Sequence, residues 1–185
     1  MPDEADSVAF AAVASPWGPV HIAATSVGVV ALENLSPRPD FVARLERRFH
    51  REVRAEPATI LDAAVAQVEE FLAGKRRPFD IPIDLHDRPA WDRTVFAAIQ
   101  EIPWGETTSY GQLARQIDRP GAARAVGGAV GRCPIGLIIP CHRVIAGDGS
   151  LGGYGGDWFG SRQRHLELKS ELLAREGIDI PAPRD

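Results

Sequence analysis

The residues best suited to chemistry surround Cys141, which follows Pro140 at the end of an apolar run and precedes His142 and Arg143. A thiol is mostly protonated at neutral pH, so a nucleophilic cysteine needs an imidazole, a cation or a helix N-terminus that stabilises its thiolate. His142 and Arg143 are candidates, but adjacent side chains on an extended backbone point to opposite faces. We therefore expect His142 to act on Cys141 through a water molecule. A cysteine in apolar surroundings is also a common core residue, so these residues alone leave both interpretations open.

The cysteine content limits the kinds of site and compartment. Cys133 and Cys141 are the two cysteines of a 185-residue sequence. They are too few for a disulfide scaffold, and neither their number nor their spacing suggests zinc, so we expect no bound metal. The acidic first residues have no apolar run behind them, and no stretch approaches the roughly 20 uninterrupted apolar residues that cross a bilayer. We expect a soluble, cytoplasmic protein with reduced thiols and no membrane contact.

The overall charge and the local charge point in different directions. The formal net charge of -4 argues mildly against nucleic-acid binding, because DNA-binding proteins usually carry positive charge that neutralises phosphates. Between Thr107 and Cys133, however, the acidic residue Asp118 is outnumbered by basic ones, namely Arg115, Arg119, Arg124 and Arg132. This segment is compatible with a DNA-binding surface in an acidic protein.

The first half of the chain predicts an α/β domain. Three apolar, β-prone segments separated by turn residues predict an antiparallel meander: Val8–Val13, Val20–Ala24 and Val27–Leu32. Helical spacing of apolar residues predicts helices from Pro39 to His50 and from about Thr59 to Ala73, and alternation predicts a further strand from Phe79 to Leu85. The segment His86-Asp87-Arg88-Pro89 has the composition of a linker. We therefore expect domains at residues 1–87 and 88–185.

The second half predicts mostly helices. Trp91 to Ile102 has a helical apolar stripe that Pro103 ends, and Thr107-Thr108-Ser109 supplies an N-cap for a helix to about Ile117. A turn at Arg119-Pro120-Gly121 leads to a further helix, Ala122 to about Gly131. Two short helices joined by a tight turn have the outline of a helix-turn-helix, which lays its second helix against DNA. Paired helices are more often purely structural, so the outline alone does not decide.

Five sequence blocks in order resemble the O6-alkylguanine-DNA alkyltransferases, also called methylated-DNA-protein-cysteine methyltransferases. The central block is Pro140-Cys141-His142-Arg143-Val144. It is preceded by Thr108 to Ala114 and Ala122 to Gly127, and followed by Gly152-Gly153-Tyr154-Gly155-Gly156 and Leu172 to Gly177. The resemblance is strong from about Trp91 to Gly177. It implies a ribonuclease-H-like N-terminal α/β domain with a small antiparallel sheet, and a mostly α, winged-helix-like C-terminal domain with a helix-turn-helix.

The resemblance also implies an activity, which is direct repair of DNA. The alkyl group of O6-alkylguanine, with O4-alkylthymine as a second candidate substrate, would pass irreversibly to Cys141 in a single turnover. His142 would take the thiol proton through a water, with Glu176 hydrogen-bonded to the histidine. Tyr110 would contact the base and help to protonate it. No cofactor is implied, because damaged DNA is itself the alkyl donor.

The partner implied by the resemblance is alkylated double-stranded DNA, bound from the minor groove by a monomer. The damaged nucleotide would rotate out of the duplex at a cost of about a few kcal/mol. Arg124 would fill the gap, with small flanking residues such as Ala123 and Gly127 allowing close approach. Backbone groups and a glycine loop would form the base pocket, including Val144, Tyr154, Gly155 and Gly156.

Two features depart from the family pattern. Cys133 stands before Pro134 where the family usually has asparagine, and a thiol is a poor substitute for an amide. Roughly eight extra residues lie between Tyr154 and Glu176, including Asp157 to His165, and they put the assignment of Glu176 in question. Trp158 and Phe159 within them would either form a lid over the pocket or pack in the core.

Three other functions compete with alkyl transfer. A non-enzymatic lesion sensor would resemble Pro-Trp-His-Arg at the active site, where this chain has Cys141. A Cys-His hydrolase unrelated to DNA would leave the arginine-bearing helix pair unexplained. A regulator signalling through its methylated cysteine would need a further sensor domain.

Overall fold

The computed structural model describes residues 7–156 and 160–183, which form two compact units. One unit runs up to His86, and the other begins at Asp87. Trp158 and Phe159, the predicted lid or core residues, lie outside the described residues. In the described part, no helix is long and apolar enough to cross a membrane, and no three His, Cys, Asp or Glu side chains are grouped to hold a metal ion.

The first unit is built on a four-stranded mixed sheet. The predicted meander is present, with β1 (Val8–Val13), β2 (Val20–Ala24) and β3 (Val29–Glu33) paired antiparallel. The short strand β4 (Val53–Arg54) lies parallel to β1, giving the order β3-β2-β1-β4. The sheet is therefore mixed rather than wholly antiparallel. The helices are α1 (Arg38–Phe49) and α2 (Thr59–Leu72).

The predicted strand from Phe79 to Leu85 is wrong. Only an isolated bridge forms there, between Ile83 and Val29. Val29 donates to the Pro82 carbonyl at 2.9 Å, and Asp84 donates to the Val29 carbonyl at 2.8 Å. Proline has no N–H, so Pro82 cannot donate the next hydrogen bond that would extend this pairing toward residue 81.

The second unit contains the helix pair predicted from the sequence. After α3 (Ala90–Gln100) and β5 (Thr108–Ser109) come α4 (Tyr110–Gln116) and α5 (Ala123–Gly131). Ser109 and Gln112 form a capping box at the start of α4, which confirms the predicted N-cap. The buried carboxylate of Asp92 accepts two hydrogen bonds from Arg132, at 3.0 and 2.7 Å, and so ties α3 to the end of α5.

The last elements of the second unit are β6 (Val144–Ile145), which pairs parallel with β5, and α6 (Arg162–Arg175). Leu166 and Leu173 of α6 are buried together with Leu151. This packing places the end of α6 against the segment that carries Cys141, because α6 contacts the turn at Cys141–Arg143.

Candidate active site

Cys141 begins a single 3-10 turn, Cys141–Arg143, that leads into β6. The expectation of an extended backbone here is wrong, because the Arg143 N–H donates to the Pro140 carbonyl at 2.9 Å and closes the turn. Ile135, Leu137 and Ile139 before it are buried and hold the segment in the core of the unit. Cys141 is 4% exposed and His142 is 1% exposed, so both side chains are shielded from bulk water.

His142 is hydrogen-bonded to Glu176, the residue that follows α6. The Nε2 atom of His142 lies 2.6 Å from Oε1 of Glu176, and both side chains are buried. The described residues supply no hydrogen-bond partner for Nδ1 of His142, which is also buried. Burial lowers the pKa of His142, against the opposing effect of the Glu176 carboxylate, so the imidazole is favoured in its neutral form.

Glu176 is held by more than the histidine. Arg143 donates through Nε to Oε2 at 2.9 Å, and the Gly105 N–H donates to the same oxygen at 3.0 Å. Arg143 also donates through Nη1 to the Ile102 carbonyl at 2.6 Å. Burial alone would raise the pKa of Glu176, but the hydrogen bonds from His142, Arg143 and Gly105 outweigh it and hold that pKa below its ordinary value. The carboxylate therefore stays ionised beside the imidazole.

Arg143 therefore does not serve the role considered for it from the sequence. Its guanidinium is engaged by Glu176 and Ile102 and lies 5.7 Å from the centre of the Trp104 ring. It positions the carboxylate rather than stabilising the thiolate of Cys141.

Among the described residues, Cys133, Lys169, Tyr110 and Tyr154 interact electrostatically with the Cys141 thiol. The neighbouring Cys133 thiol and, next, burial raise the pKa of Cys141 well above its usual range, while the charge of Lys169 opposes the rise. Tyr110 and Tyr154 also lie close enough for a charge on Cys141 to raise their own pKa values, although burial is the larger cause for both. The resting cysteine is consequently a protonated thiol beside two protonated phenols.

Lys169 is a site residue that sequence reasoning missed. Its side chain is fully buried, and Nζ donates to the carbonyls of Val144, Leu151 and Gly153 at 2.6, 2.6 and 2.9 Å. Burial lowers the pKa of Lys169 to about 7, and the neighbouring Cys141 works against this shift. Three acceptors match the three protons of an ammonium group, so Lys169 ties the glycine loop and β6 to α6.

Tyr110, the first residue of α4, faces the glycine loop. Its hydroxyl donates to the Gly153 carbonyl at 3.4 Å. A Cβ added to Gly152, where φ is +72°, would lie 3.1 Å from the Tyr110 ring, and one added to Gly127 of α5 would lie 3.8 Å from it. Only Gly152 is a close approach that requires glycine, because a Cβ at Gly127 would make an ordinary van der Waals contact.

The remaining predicted pocket residues lie near this loop. Gly155 has a φ of +68°, and an added Cβ would lie 3.7 Å from the ring of buried His165. Gly156 also has a positive φ, of 61°. Tyr154 is partly buried, and the Val144 carbonyl is the one that accepts from Lys169.

Helix α5 presents the predicted DNA-contact residues. Arg124 is exposed, and no described residue forms a hydrogen bond or ion pair with it. Its neighbours Ala123 and Gly127 are partly buried and small. The structure thus brings Cys141, His142, Tyr110, Tyr154 and Glu176 into one region, with Arg124 on an exposed helix of the same unit.

Comparisons with known proteins match both units. The profile described as 6-O-methylguanine DNA methyltransferase, ribonuclease-like domain, matches residues 8–85, and its DNA binding domain matches residues 90–178. An inducible methylated-DNA-protein-cysteine methyltransferase of Bacillus subtilis is 34% identical over 162 residues, 87% of this chain and 88% of the relative. The enzyme of that name from Mycolicibacterium paratuberculosis is 48% identical over 119 residues, 64% of this chain and 67% of the relative.

Solved structures agree with the sequence comparisons. The crystal structure of Mycobacterium tuberculosis OGT in complex with DNA is 35% identical, with a TM-score of 0.75 over 94% of this chain and 96% of that one. The fold and the site together define a DNA-binding methyltransferase of DNA repair. The chain belongs to the methylated-DNA-protein-cysteine methyltransferase family, as the resemblance indicated.

Proposed function

We propose that this chain repairs DNA by transferring the alkyl group on O6 of guanine to Sγ of Cys141, once per molecule. The observation that carries the proposal is the buried hydrogen bond of 2.6 Å between His142 and Glu176. His142 directly follows the buried Cys141. A buried carboxylate beside a buried imidazole is the arrangement that orients a general base.

The hydrogen bonding assigns the proton on His142. Glu176 is ionised and can only accept, so Nε2 of the neutral imidazole carries the hydrogen and Nδ1 carries the free lone pair. Nδ1 is therefore the atom that takes the Cys141 proton, through a water. The imidazolium formed is stabilised by the Glu176 carboxylate, which is itself held by Arg143 and Gly105.

The alkyl transfer is an in-line displacement. Sulfur forms a bond to the alkyl carbon, the bond from that carbon to O6 breaks, and its electron pair goes to the guanine. Tyr110 donates a hydrogen bond to the leaving base, since its raised pKa keeps the hydroxyl protonated at neutral pH. The thioether product is stable, so the protein acts once and needs no cofactor.

In the proposed DNA complex, one molecule of the protein binds from the minor groove. Helix α5 is the recognition helix. The exposed Arg124 side chain is the one that inserts where the damaged base leaves the stack, and the small residues Ala123 and Gly127 permit close approach. Backbone groups of Val144, Gly155 and Gly156, together with Tyr154, line the pocket for the flipped base. O4-alkylthymine is a second candidate substrate for the same chemistry.

Mass spectrometry after incubation with an O6-methylguanine duplex tests the proposal. Trypsin releases a peptide from Cys133 to Arg143, and we expect it to gain one methyl group stoichiometrically, with fragment ions placing the methyl on Cys141. Cys141→Ala should remain unmodified, and Cys133→Ser should still be methylated. A folded protein that binds the duplex but gains no methyl group on Cys141 would refute alkyl transfer and favour a lesion sensor.

A further inference from the structure

The two cysteines lie opposite each other across a tight loop. Leu137 is the centre of this loop, with a φ of +64°, and each cysteine is four residues away from it. The Ile139 N–H donates to the Ile135 carbonyl at 3.1 Å, which closes the loop midway between Leu137 and the cysteines. The chain therefore returns Cys141 to the level of Cys133.

The side chains of the cysteines meet at the same place. Cys133 is the largest cause of the raised pKa of the Cys141 thiol, and both cysteines also raise the pKa of the Tyr154 phenol. The two cysteines differ in access, because Cys133 is partly exposed whereas Cys141 is 4% exposed. A small oxidant in solution therefore reaches the Cys133 thiol more readily than the buried Cys141 thiol.

We propose that Cys133 and Cys141 form a reversible intramolecular disulfide when the protein meets hydrogen peroxide, which makes the pair an oxidative modification site. Sulfur–sulfur contact without backbone rearrangement is what disulfide formation requires.

The chemistry balances in two steps. The Cys133 thiolate attacks one peroxide oxygen, giving a sulfenic acid at Cys133 and releasing hydroxide, which takes up a proton to become water. The Cys141 sulfur then attacks the Cys133 sulfur, losing its proton, and the hydroxyl group leaves as a second water. Both thiols are oxidised by one electron each, and the peroxide is reduced by two electrons.

The disulfide changes what the site can do. A Cys141 sulfur that is bonded to Cys133 cannot form a thiolate, so alkyl transfer stops. A thiol reductant restores the Cys141 thiol and with it the activity. The same bond prevents further oxidation of Cys141 to the sulfinic acid, which thiols do not reverse. Cys133, at the position where the family usually has asparagine, thus protects the alkyl-accepting Cys141 from irreversible oxidation.

Peroxide treatment of the DNA-free protein tests the proposal by peptide mass. Free thiols are blocked with N-ethylmaleimide under denaturing conditions before digestion, and the peptide from Cys133 to Arg143 contains both cysteines. We expect this peptide to lose two hydrogen atoms and to carry no maleimide, and we expect dithiothreitol to reverse both changes. A peptide that gains oxygen atoms instead, or a disulfide found only between molecules, would overturn the proposal.

Recovery of alkyl transfer is the functional readout, with each protein compared with its own reduced sample. After peroxide, the unaltered protein should lose activity and regain it with dithiothreitol, whereas Cys133→Ser should regain less, because its Cys141 can pass from the sulfenic to the sulfinic acid. Cys133→Asn, which restores the family's usual residue, is the second variant in case the serine protein does not fold. Equal recovery in all three proteins would contradict a role for Cys133. The peptide mass needs no DNA, so it tests the disulfide even if Cys141 proves not to be the alkyl acceptor.

Discussion

Oε1 of Glu176 lies 2.6 Å from Nε2 of His142, although the two residues are 34 positions apart in the chain. Glu176 follows the last turn of α6, and the extra residues noted in the sequence lie before it, partly in the first turn of that helix. The additional chain length therefore leaves the histidine and the carboxylate in hydrogen-bonding contact.

Replacing Glu176 by glutamine should slow alkyl transfer by at least about tenfold, because a neutral amide stabilises the His142 imidazolium less than a carboxylate does. Single-turnover kinetics on an O6-methylguanine duplex measure the rate. Glu167→Gln, an exposed change on α6, is the matched control and should leave the rate unchanged. Equal rates for the two variants would remove Glu176 from the proton relay.

The ionised Glu176 should also make the protein sensitive to acid. Its pKa in the folded state is below the ordinary value of 4.5, so its stabilisation is present above that pH and is lost as the pH falls through the folded-state pKa. Urea unfolding from about pH 7 to about pH 3 should show a steeper loss of stability for the unaltered protein than for Glu176→Gln. Parallel curves would show that the carboxylate titrates alike in both states.

Lys169→Met should destabilise the protein by about 3 kcal/mol or more, since it leaves buried carbonyls of Val144, Leu151 and Gly153 without their donor. Lys75→Met, on an exposed residue, should cost no more than about 0.5 kcal/mol. Urea denaturation measures both. Equal free energies of unfolding for the two variants would mean that the carbonyls of Val144, Leu151 and Gly153 accept hydrogen bonds from other donors.

Gly152 and Gly153 offer a comparison within the glycine loop. An alanine at 152 would have a φ of +72° and a Cβ 3.1 Å from the Tyr110 ring, whereas one at 153 would meet nothing within 4 Å. Gly152→Ala should therefore cost about 1–3 kcal/mol of stability and slow alkyl transfer more than Gly153→Ala does. Two alanine variants with the same stability and the same rate would show that close approach of Gly152 to the Tyr110 ring does not matter.

Arg124→Ala should slow repair of duplex DNA far more than reaction with free O6-benzylguanine, because the free base needs no rotation out of a stack. The ratio of the two rate constants is the measurement. Arg93→Ala removes the same charge from an exposed position on α3 and should change the ratio little. An equal loss on both substrates after Arg124→Ala would mean that this arginine does not assist base flipping.

Local signals in the sequence were sufficient for the meander, the helix pair and the N-cap at Ser109, since each depends on residues near one another in the chain. The prediction of a strand from Phe79 to Leu85 was wrong because alternation takes no account of the N–H group that Pro82 lacks. The turn at Cys141–Arg143 also follows from tertiary packing, which local sequence does not report.

Lys169 was overlooked because it sits among charged residues and resembles a surface lysine. A signal was nevertheless present, since it lies three residues after Leu166 and four before Leu173, on the buried face of α6. The acceptors of its ammonium group are backbone carbonyls, and side-chain patterns give no sign of them.

The Gly153 carbonyl accepts from the Tyr110 hydroxyl at 3.4 Å and from Lys169 Nζ at 2.9 Å. In the proposed complex, the Tyr110 hydroxyl donates to the guanine in place of the Gly153 carbonyl. The Gly153 carbonyl still accepts a hydrogen bond from the ammonium group of Lys169. We therefore expect that the Tyr110 hydroxyl can leave Gly153 for a bound guanine while the Gly153 carbonyl keeps its hydrogen bond from Lys169.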